Sequence, residues 1–105
     1  EDLYVNVAGG VRLTEPAADL GVAMALASSF LDRPVPADTL IFGEVGLTGE
    51  IRAVSQPEAR LKEGRKLGFQ RALLAKRQQE RLGEFPGLEL LGVDTLAQAI
   101  KKVLG

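Results

Sequence analysis

The sequence predicts a single mixed α/β domain of the α+β class, with helices packed on a mixed sheet. Two observations carry the prediction. Short apolar runs typical of strands are interspersed with segments of helical pattern along the whole chain. Its 105 residues, 46% hydrophobic and 26% charged, suffice for one core but not for two. No repeat or low-complexity linker divides the chain, so we treat residues 1–105 as one domain. Because the chain opens on a charged pair and enters a predicted strand at once, we interpret that domain as excised from a longer protein.

Each predicted element is bounded by residues that favour caps or turns. Thr14 precedes a helix that starts near Pro16, Asp94 or Thr95 caps the last helix, and Gly68 stops another. The helix after Pro16 is small or apolar nearly all round, so we expect it to be buried on several sides. The predicted elements, in order, are strands Leu3–Val7 and Val11–Leu13, helix Pro16–Leu31, strands Thr39–Val45 and Glu50–Val54, helix Pro57–Leu67, strand Arg71–Ala75, a polar helical turn or loop Lys76–Leu82, strand Leu88–Val93 and helix Leu96–Leu104. The inner positions predicted for the helix after Pro57 are Ala59, Leu61, Gly64 and Leu67.

Composition excludes several kinds of chemistry. Because the chain has no Cys and no His, it offers no zinc finger, no Cys or His catalysis and no disulfide. The glycines within 43–49 lack the Lys and Ser/Thr of a phosphate loop, so they predict tight turns between strands. No apolar run is long enough to span a bilayer. Without a secretory signal or cysteine, an intracellular location is permitted, and we expect the cytoplasm.

Few side chains are placed for acid or nucleophile chemistry. Asp19 falls in the first turn of an apolar helix, where we expect it to complement free N–H groups and the helix dipole. None of the three serines, Ser28, Ser29 and Ser55, follows the pattern of a nucleophile elbow. We expect Ser28 and Ser29 to be packing and cap residues.

Charge is distributed unevenly along the chain. The net charge is −1, yet residues 1–50 carry 2 basic and 8 acidic side chains, and residues 52–81 carry 9 basic and 3 acidic ones. Such asymmetry either makes a basic face or reflects a solvated helix surface with paired charges. Arg33 has a second interpretation, as a cap on the helix before it.

Three stretches resemble the C-terminal domain of the bacterial RadA/Sms family, which comprises RecA-related ATPases of DNA recombination and repair. They are residues 3–20, 27–34 and 42–54, the last containing Gly-Glu-Val-Gly-Leu-Thr-Gly-Glu-Ile-Arg. The resemblance covers nearly the whole chain and is weakest at Lys76–Gly87. Because that family domain is similar to the proteolytic domain of Lon, the resemblance implies a Lon-like fold. It also implies an upstream zinc finger and RecA-like ATPase.

The same resemblance permits a test for peptidase chemistry. Lon-type proteases use a Ser in a Gly-Pro-Ser-Ala-Gly helix start, activated by a Lys amine. The matching positions here hold Ala17 and Glu58, with Lys62 one helical turn after Glu58. A methyl group cannot attack a carbonyl, so we expect no catalytic residues in this domain. An active Ser/Lys peptidase would have to use Ser28, Ser29 or Ser55 instead.

The resemblance further implies a hexameric ring that presents a surface to DNA. In a ring, modest charge on each subunit adds up to a strong field for a polyanion. With few aromatic residues for base stacking, contact with the duplex backbone, free of sequence preference, is expected. The full-length protein would be a DNA-dependent ATPase, with ATP, Mg²⁺ and zinc held upstream and no cofactor in this domain. The expected DNA-binding residues are Arg12, Arg52, Arg60, Lys62, Arg65 and Lys66. The alternative is a purely structural oligomerisation module without DNA contact.

Overall fold

A computed structural model describes residues 15–105 of the chain. The predicted strands Leu3–Val7 and Val11–Leu13, the cap Thr14 and the expected DNA contact Arg12 lie outside the described residues. The elements that follow are a 3-10 turn at Pro16–Ala18, α1 (Asp19–Leu31), β1 (Thr39–Ile41), β2 (Glu44–Val45), β3 (Ile51–Arg52), α2 (Pro57–Lys66), β4 (Arg71–Ala75), α3 (Lys76–Leu82), β5 (Glu89–Val93) and α4 (Leu96–Leu104). The prediction of a mixed α+β fold is confirmed.

A parallel sheet of three strands forms the centre of the described chain, in the order β1-β4-β5. Successive residues of β4 point to opposite faces. Leu73 and Ala75 pack with α1 and α4 on one face. Ala72 and Leu74 pack with Leu61 of α2 and with α3 on the other. The result is three layers, helices–sheet–helices, with a small antiparallel pair of strands, β2 and β3, beside them.

Helix α1 occupies the predicted place but is less buried than expected. Only Leu20 and Met24 of α1 are fully covered, whereas Leu26 is 68% and Phe30 88% exposed. The prediction of burial on several sides is therefore wrong for this part of the chain. One face of the helix packs on the sheet, and in a three-layer arrangement the opposite face is left on the outside. Apolar composition alone does not reveal this.

The predicted strand Thr39–Val45 is broken into β1 and β2, which belong to different sheets. The break is at Gly43. Its N–H donates to the Ala17 carbonyl and its carbonyl accepts from the Leu20 N–H, both at 2.9 Å. These bonds attach the backbone to the start of α1 instead of continuing the ladder. A Cβ at Gly43 would lie 3.1 Å from Ile51 Cγ2, so the glycine lets the chain pass closely here.

The hairpin that follows is confirmed, but its second strand is shorter than predicted. β3 covers only Ile51 and Arg52 of the expected Glu50–Val54. Val54 makes its backbone hydrogen bonds with the side chain of Gln78, so it leaves the strand. The glycine-rich segment forms the predicted tight turn, with Gly49 at φ +87°.

Helix α2 matches the prediction in extent but not in all of its inner positions. Leu61 and Gly64 are buried, and a Cβ on Gly64 would approach Leu40 Cδ2 to 2.5 Å. Ala59 is exposed, and Leu67 is 68% exposed. Both of these predicted inner positions are wrong, Leu67 because α2 ends one residue before it.

The last third of the chain follows the sequence pattern closely. β4 and α4 have the predicted bounds, the segment 76–82 is helical, and β5 begins one residue later than expected. Thr95 caps α4, with its hydroxyl accepting from the Gln98 N–H at 3.1 Å. Across residues 15–105, no helix has the length and apolarity needed to cross a membrane.

Candidate functional site

Ala17 lies where the sequence places it, in the 3-10 turn that leads into α1. The residue is 5% exposed and opens on a shallow pocket of about 270 Å³. Apolar residues form most of the wall, and the charged members are Glu15 and Arg60. The lining residues are Glu15, Ala17, Ala18, Leu40, Ile41, Phe42 and Arg60.

The cation in this pocket is Arg60, not an amine. Its Nη2 forms an ion pair with Glu15 Oε1 at 3.2 Å, and its Nε donates to the Ser55 carbonyl at 2.9 Å. Glu58 and Lys62 are exposed and are not among the residues that line the pocket. Among residues 15–105, the lining therefore offers a guanidinium and a carboxylate but neither a hydroxyl nor a lysine.

Asp19 connects two elements instead of capping its own helix. Its Oδ2 accepts from the Val45 N–H at 3.2 Å, which ties the first turn of α1 to β2. The sequence led us to expect a partner among the free N–H groups of the helix itself. The structure corrects the partner, since the donor belongs to a neighbouring strand. Asp19 does lie in the first turn of α1, where its charge complements the helix dipole as expected.

The serines have local structural roles or lie at the surface. Ser28 donates its hydroxyl to the carbonyl of Arg33, which lies beyond the end of α1, so the bond holds the chain as it leaves the helix and does not cap a carbonyl of α1. Ser29 and Ser55 are exposed. Among the hydrogen bonds of residues 15–105, none joins a serine hydroxyl to a lysine. Arg33 caps the helix before it through its backbone N–H, which donates to the Ser28 carbonyl at 3.0 Å, as expected. Its side chain also donates from Nη1 to the Leu104 carbonyl at the end of α4, at 3.0 Å.

The tip of the β2–β3 hairpin is organised around Glu50. Its Oε1 accepts from the N–H and the hydroxyl of Thr48, and its Oε2 accepts from Arg52 Nη2 at 2.7 Å. The Thr48 hydroxyl and then the Arg52 guanidinium lower the pKa of Glu50 to about 2. A Cβ on Gly46 would overlap this carboxylate, so a glycine at this position leaves the Glu50 side chain where it is. Leu47, at the tip, is fully exposed.

Three members of the expected DNA-binding set are engaged by other groups. Arg52 is held by Glu50 and Arg60 by Glu15. Arg65 donates from Nη1 to the Pro86 carbonyl at 2.7 Å, and its guanidinium carbon lies 4.8 Å from the centre of the Phe85 ring. Of these arginines, Arg60 is also the least exposed.

Lys62 and Lys66 are the members of the set that have no partner among residues 15–105. Both are exposed on α2, one helical turn apart, and neither has an ion pair or a side-chain hydrogen bond within the described part of the chain. A cleft that the sequence did not single out lies next to Arg52, where Arg77 of α3 reaches it. Among residues 15–105 no cluster of acidic side chains forms that would hold a metal ion.

Comparison with known proteins places the chain in a family. A family model described as "Subunit ChlI of Mg-chelatase" matches residues 1–78. The chain belongs to this family. It is also homologous to proteins named DNA repair protein RadA, which confirms the resemblance predicted from the motifs. The relative from Aquifex aeolicus (strain VF5) is 50% identical over 101 residues, or 96% of this chain.

Two further RadA relatives match equally widely. Identity is 48% to the protein of Bacillus subtilis (strain 168), over the full chain. It is 43% to that of Listeria monocytogenes serovar 1/2a, over 99% of the chain. The chain spans less than a quarter of the length of these relatives, 22% of the Aquifex protein and 23% of the other two.

Proposed function

We propose that this chain is a catalytically inactive, Lon-like domain of a RadA-type recombination and repair ATPase. Its role is to support assembly of a hexameric ring and to bind DNA without sequence preference. The observation that supports it most is the pair of free lysines on α2, Lys62 and Lys66, within a region rich in basic residues. Homology to proteins named for DNA repair supports the same direction.

Free exposed lysines suit a phosphate backbone. Each lysine is a point charge with three donors on a flexible stem, and no acidic side chain within the described residues forms an ion pair with Lys62 or Lys66. Phosphate binding of this kind releases counterions from the nucleic acid, so binding weakens steeply as salt rises. It reads no bases, which accounts for the absence of sequence preference.

The absence of peptidase activity in the proposal rests on the pocket at Ala17. Within residues 15–105, its lining holds no nucleophile and no amine, and the cation that lines it, Arg60, is bonded to Glu15 and the Ser55 carbonyl. A guanidinium stays protonated at any physiological pH, so it cannot serve as the general base of a dyad. The ATPase activity, Mg²⁺ and zinc belong to the upstream part of the longer protein in this proposal, and this domain needs no cofactor.

Ring assembly draws support from the outer face of α1. Val22, Leu26 and Phe30 follow one another at intervals of four residues, and they are 37%, 68% and 88% exposed. Large apolar side chains presented in one stripe are typical of surfaces that associate. We propose that a second copy of the chain covers this stripe. A purely structural oligomerisation module, our alternative, would use the same stripe without any DNA contact.

The DNA-binding proposal is tested by charge reversal at matched lysine pairs. Lys62→Glu with Lys66→Glu removes the free pair on α2. Lys101→Glu with Lys102→Glu makes the same change in charge on α4, which covers the opposite face of the sheet. Affinity for a fluorescein-labelled duplex is measured by anisotropy at several salt concentrations. We expect the α2 variant to bind at least about tenfold more weakly than the α4 variant.

The outcome separates the two functions. Equal affinity of the two variants would contradict the assignment of the DNA surface to α2. No duplex binding by the parent chain, together with oligomers by light scattering, would favour the structural module. The lysine pair is a cleaner test than Arg52 and Arg60, because reversing those arginines would also break their bonds to Glu50 and Glu15.

A further inference from the structure

Gln78 of α3 is a buried polar residue that fixes one helix against one strand end. The residue is 6% exposed, yet both ends of its amide are satisfied by a single partner. Its Oε1 accepts from the Val54 N–H at 3.1 Å, and its Nε2 donates to the Val54 carbonyl at 2.7 Å. Two bonds to one backbone unit define orientation as well as distance. The first turn of α3 is thereby held in register with the segment that follows β3.

This register sets Arg77 and Arg52 on one cleft. Arg77 directly precedes Gln78, and Arg52 lies two residues before Val54. Both arginines line an open cleft of about 700 Å³, together with Ala53, Glu50 and Asp94. The cleft lies where β4 and β5 end, at the carboxyl edge of the parallel sheet, which is where open α/β sheets commonly bind ligands.

The donors and the carboxylates of this cleft are not equivalent. Arg77 has no ion pair or side-chain hydrogen bond with any residue between 15 and 105. Arg52 uses Nε and Nη2 on Glu50, and its Nη1 makes no hydrogen bond to the described residues. Glu50 is satisfied by Thr48 and Arg52, so the charges of Glu50 and Arg52 compensate each other, and Arg77 carries the uncompensated positive charge among the described lining residues. Asp94 is exposed, and its negative charge repels an anion in the cleft.

We propose that Arg77 is a further DNA-binding residue, which contacts a backbone phosphate in this cleft beside Arg52, and that Gln78 is its positioning residue. The proposal rests on the proposed DNA-binding function and adds a site that the sequence did not single out. A guanidinium suits a phosphate because its planar donors match two phosphate oxygens. The phosphodiester displaces no group from Arg77 and reaches Arg52 through the unused Nη1.

The test compares Arg77→Ala with Arg81→Ala. Both arginines are exposed and lie one turn apart on α3, but Arg81 does not line the cleft. With a labelled duplex of mixed sequence, we expect Arg77→Ala to weaken binding about tenfold and to lower the salt slope by about one unit. Arg81→Ala should change affinity by no more than about twofold, since it removes only long-range attraction.

Substitution of Asp94 supplies a test in which duplex affinity is expected to rise instead of fall. Asp94→Asn removes a negative charge from the cleft and should tighten binding of the same duplex by a few-fold. Glu84→Gln, the matched control, removes an exposed carboxylate that lines a different pocket and should have no such effect. Equal effects of the two neutralisations would overturn the cleft as the phosphate site.

The role of Gln78 is tested by whether its substitution changes the effect of Arg77→Ala on duplex affinity, and not by its effect on the free energy of unfolding. Gln78→Met keeps the unbranched shape but removes both bonds to Val54. If Gln78 positions Arg77, then Arg77→Ala should cost much less affinity in the Gln78→Met background than in the parent chain. Additive effects, which a merely structural glutamine would give, would overturn the positioning role.

The outcomes also distinguish this proposal from the one it rests on. If the parent chain does not bind the duplex, the DNA-binding function itself fails. If the parent binds with a normal salt slope but Arg77→Ala and Arg81→Ala weaken it equally, only the cleft is overturned. Circular dichroism of each variant checks the fold, which the surface substitutions at Arg77, Arg81, Asp94 and Glu84 should leave unchanged. For the buried Gln78→Met, the same measurement establishes that the variant used in the coupling test is folded.

Discussion

Arg60 and Ala17 line the same pocket, and the Arg60 guanidinium is held there by Glu15 at 3.2 Å. A cation therefore does lie beside Ala17, the position that the resemblance to Lon-type proteases assigns to the nucleophile, but a guanidinium cannot serve as a general base. The pocket has an apolar wall of Leu40, Ile41 and Phe42, and its lining within the described part of the chain lacks the groups that would cut a peptide.

The first prediction follows from that pocket. Ala17→Ser restores a hydroxyl at the helix start but no base, so it should not produce peptidase activity. Hydrolysis of fluorogenic casein by the variant should equal that of the parent chain, and both should equal the buffer. Turnover by the parent that disappears with Ser28→Ala, Ser29→Ala or Ser55→Ala would contradict the inactive assignment.

The positions of local elements could be predicted because their signals are local. β4 and α4 have the predicted bounds. The signal for β4 is an apolar run that ends at a polar helix start, and the signal for α4 is an apolar stripe of 3.6-residue period after a Thr cap. Both signals lie within the segments themselves. The turn at Gly49 likewise follows from its own residues. What the sequence could not show is how distant residues compete for the same backbone.

Gly43 and Arg60 illustrate that limit. The break at Gly43 depends on Ala17 and Leu20, which are more than twenty residues away and offer hydrogen bonds that a strand partner would otherwise supply. The place of Arg60 depends on how α2 lies across β1, a packing relationship that helical periodicity does not contain. The exposure of Phe30 has the same origin, because burial is decided by neighbours and not by composition.

The second prediction concerns the acid response of the hairpin. The pKa of Glu50 is lowered from 4.5 to about 2. Its bonds to Thr48 and Arg52 therefore stabilise the folded hairpin when the pH is above 4.5, the pKa of this carboxyl in the unfolded chain. That contribution is lost as pH falls through about 2. The Thr48 amide shift, followed by NMR, should titrate with a midpoint near 2, and Thr48→Val should raise the pKa of Glu50. A midpoint at 4.5 in the parent would contradict the hydrogen bonds of Glu50 to Thr48 and Arg52.

The third prediction uses two glycines with opposite expected effects. At Gly92, a Cβ would lie 2.8 Å from the Lys76 Cα, so Gly92→Ala must separate β5 from α3 and should cost about 1–3 kcal/mol in free energy of unfolding. At Gly21, inside α1, the nearest atom is 3.9 Å away, so Gly21→Ala should stabilise by up to about 1 kcal/mol. Urea denaturation measures both, and a shared sign would contradict the packing described.

The fourth prediction tests the apolar stripe on α1. Leu26 and Leu67 are each 68% exposed, but only Leu26 belongs to the stripe. Leu26→Glu should shift the light-scattering mass towards the monomer because it places a charge in the association surface, whereas Leu67→Glu should leave the mass unchanged. Equal effects of the two variants, or a parent chain that is monomeric at all concentrations, would contradict self-association through α1.

The salt dependence of duplex binding tests the proposed function most directly. Anisotropy titrations of a labelled duplex with the parent chain and with the Lys62→Glu, Lys66→Glu variant give the logarithm of affinity against the logarithm of salt concentration. We predict a steep negative slope for the parent and a slope shallower by about two units for the variant, because two phosphates are no longer neutralised by lysine. A flat slope for the parent, or parallel slopes for the two proteins, would contradict DNA binding through α2.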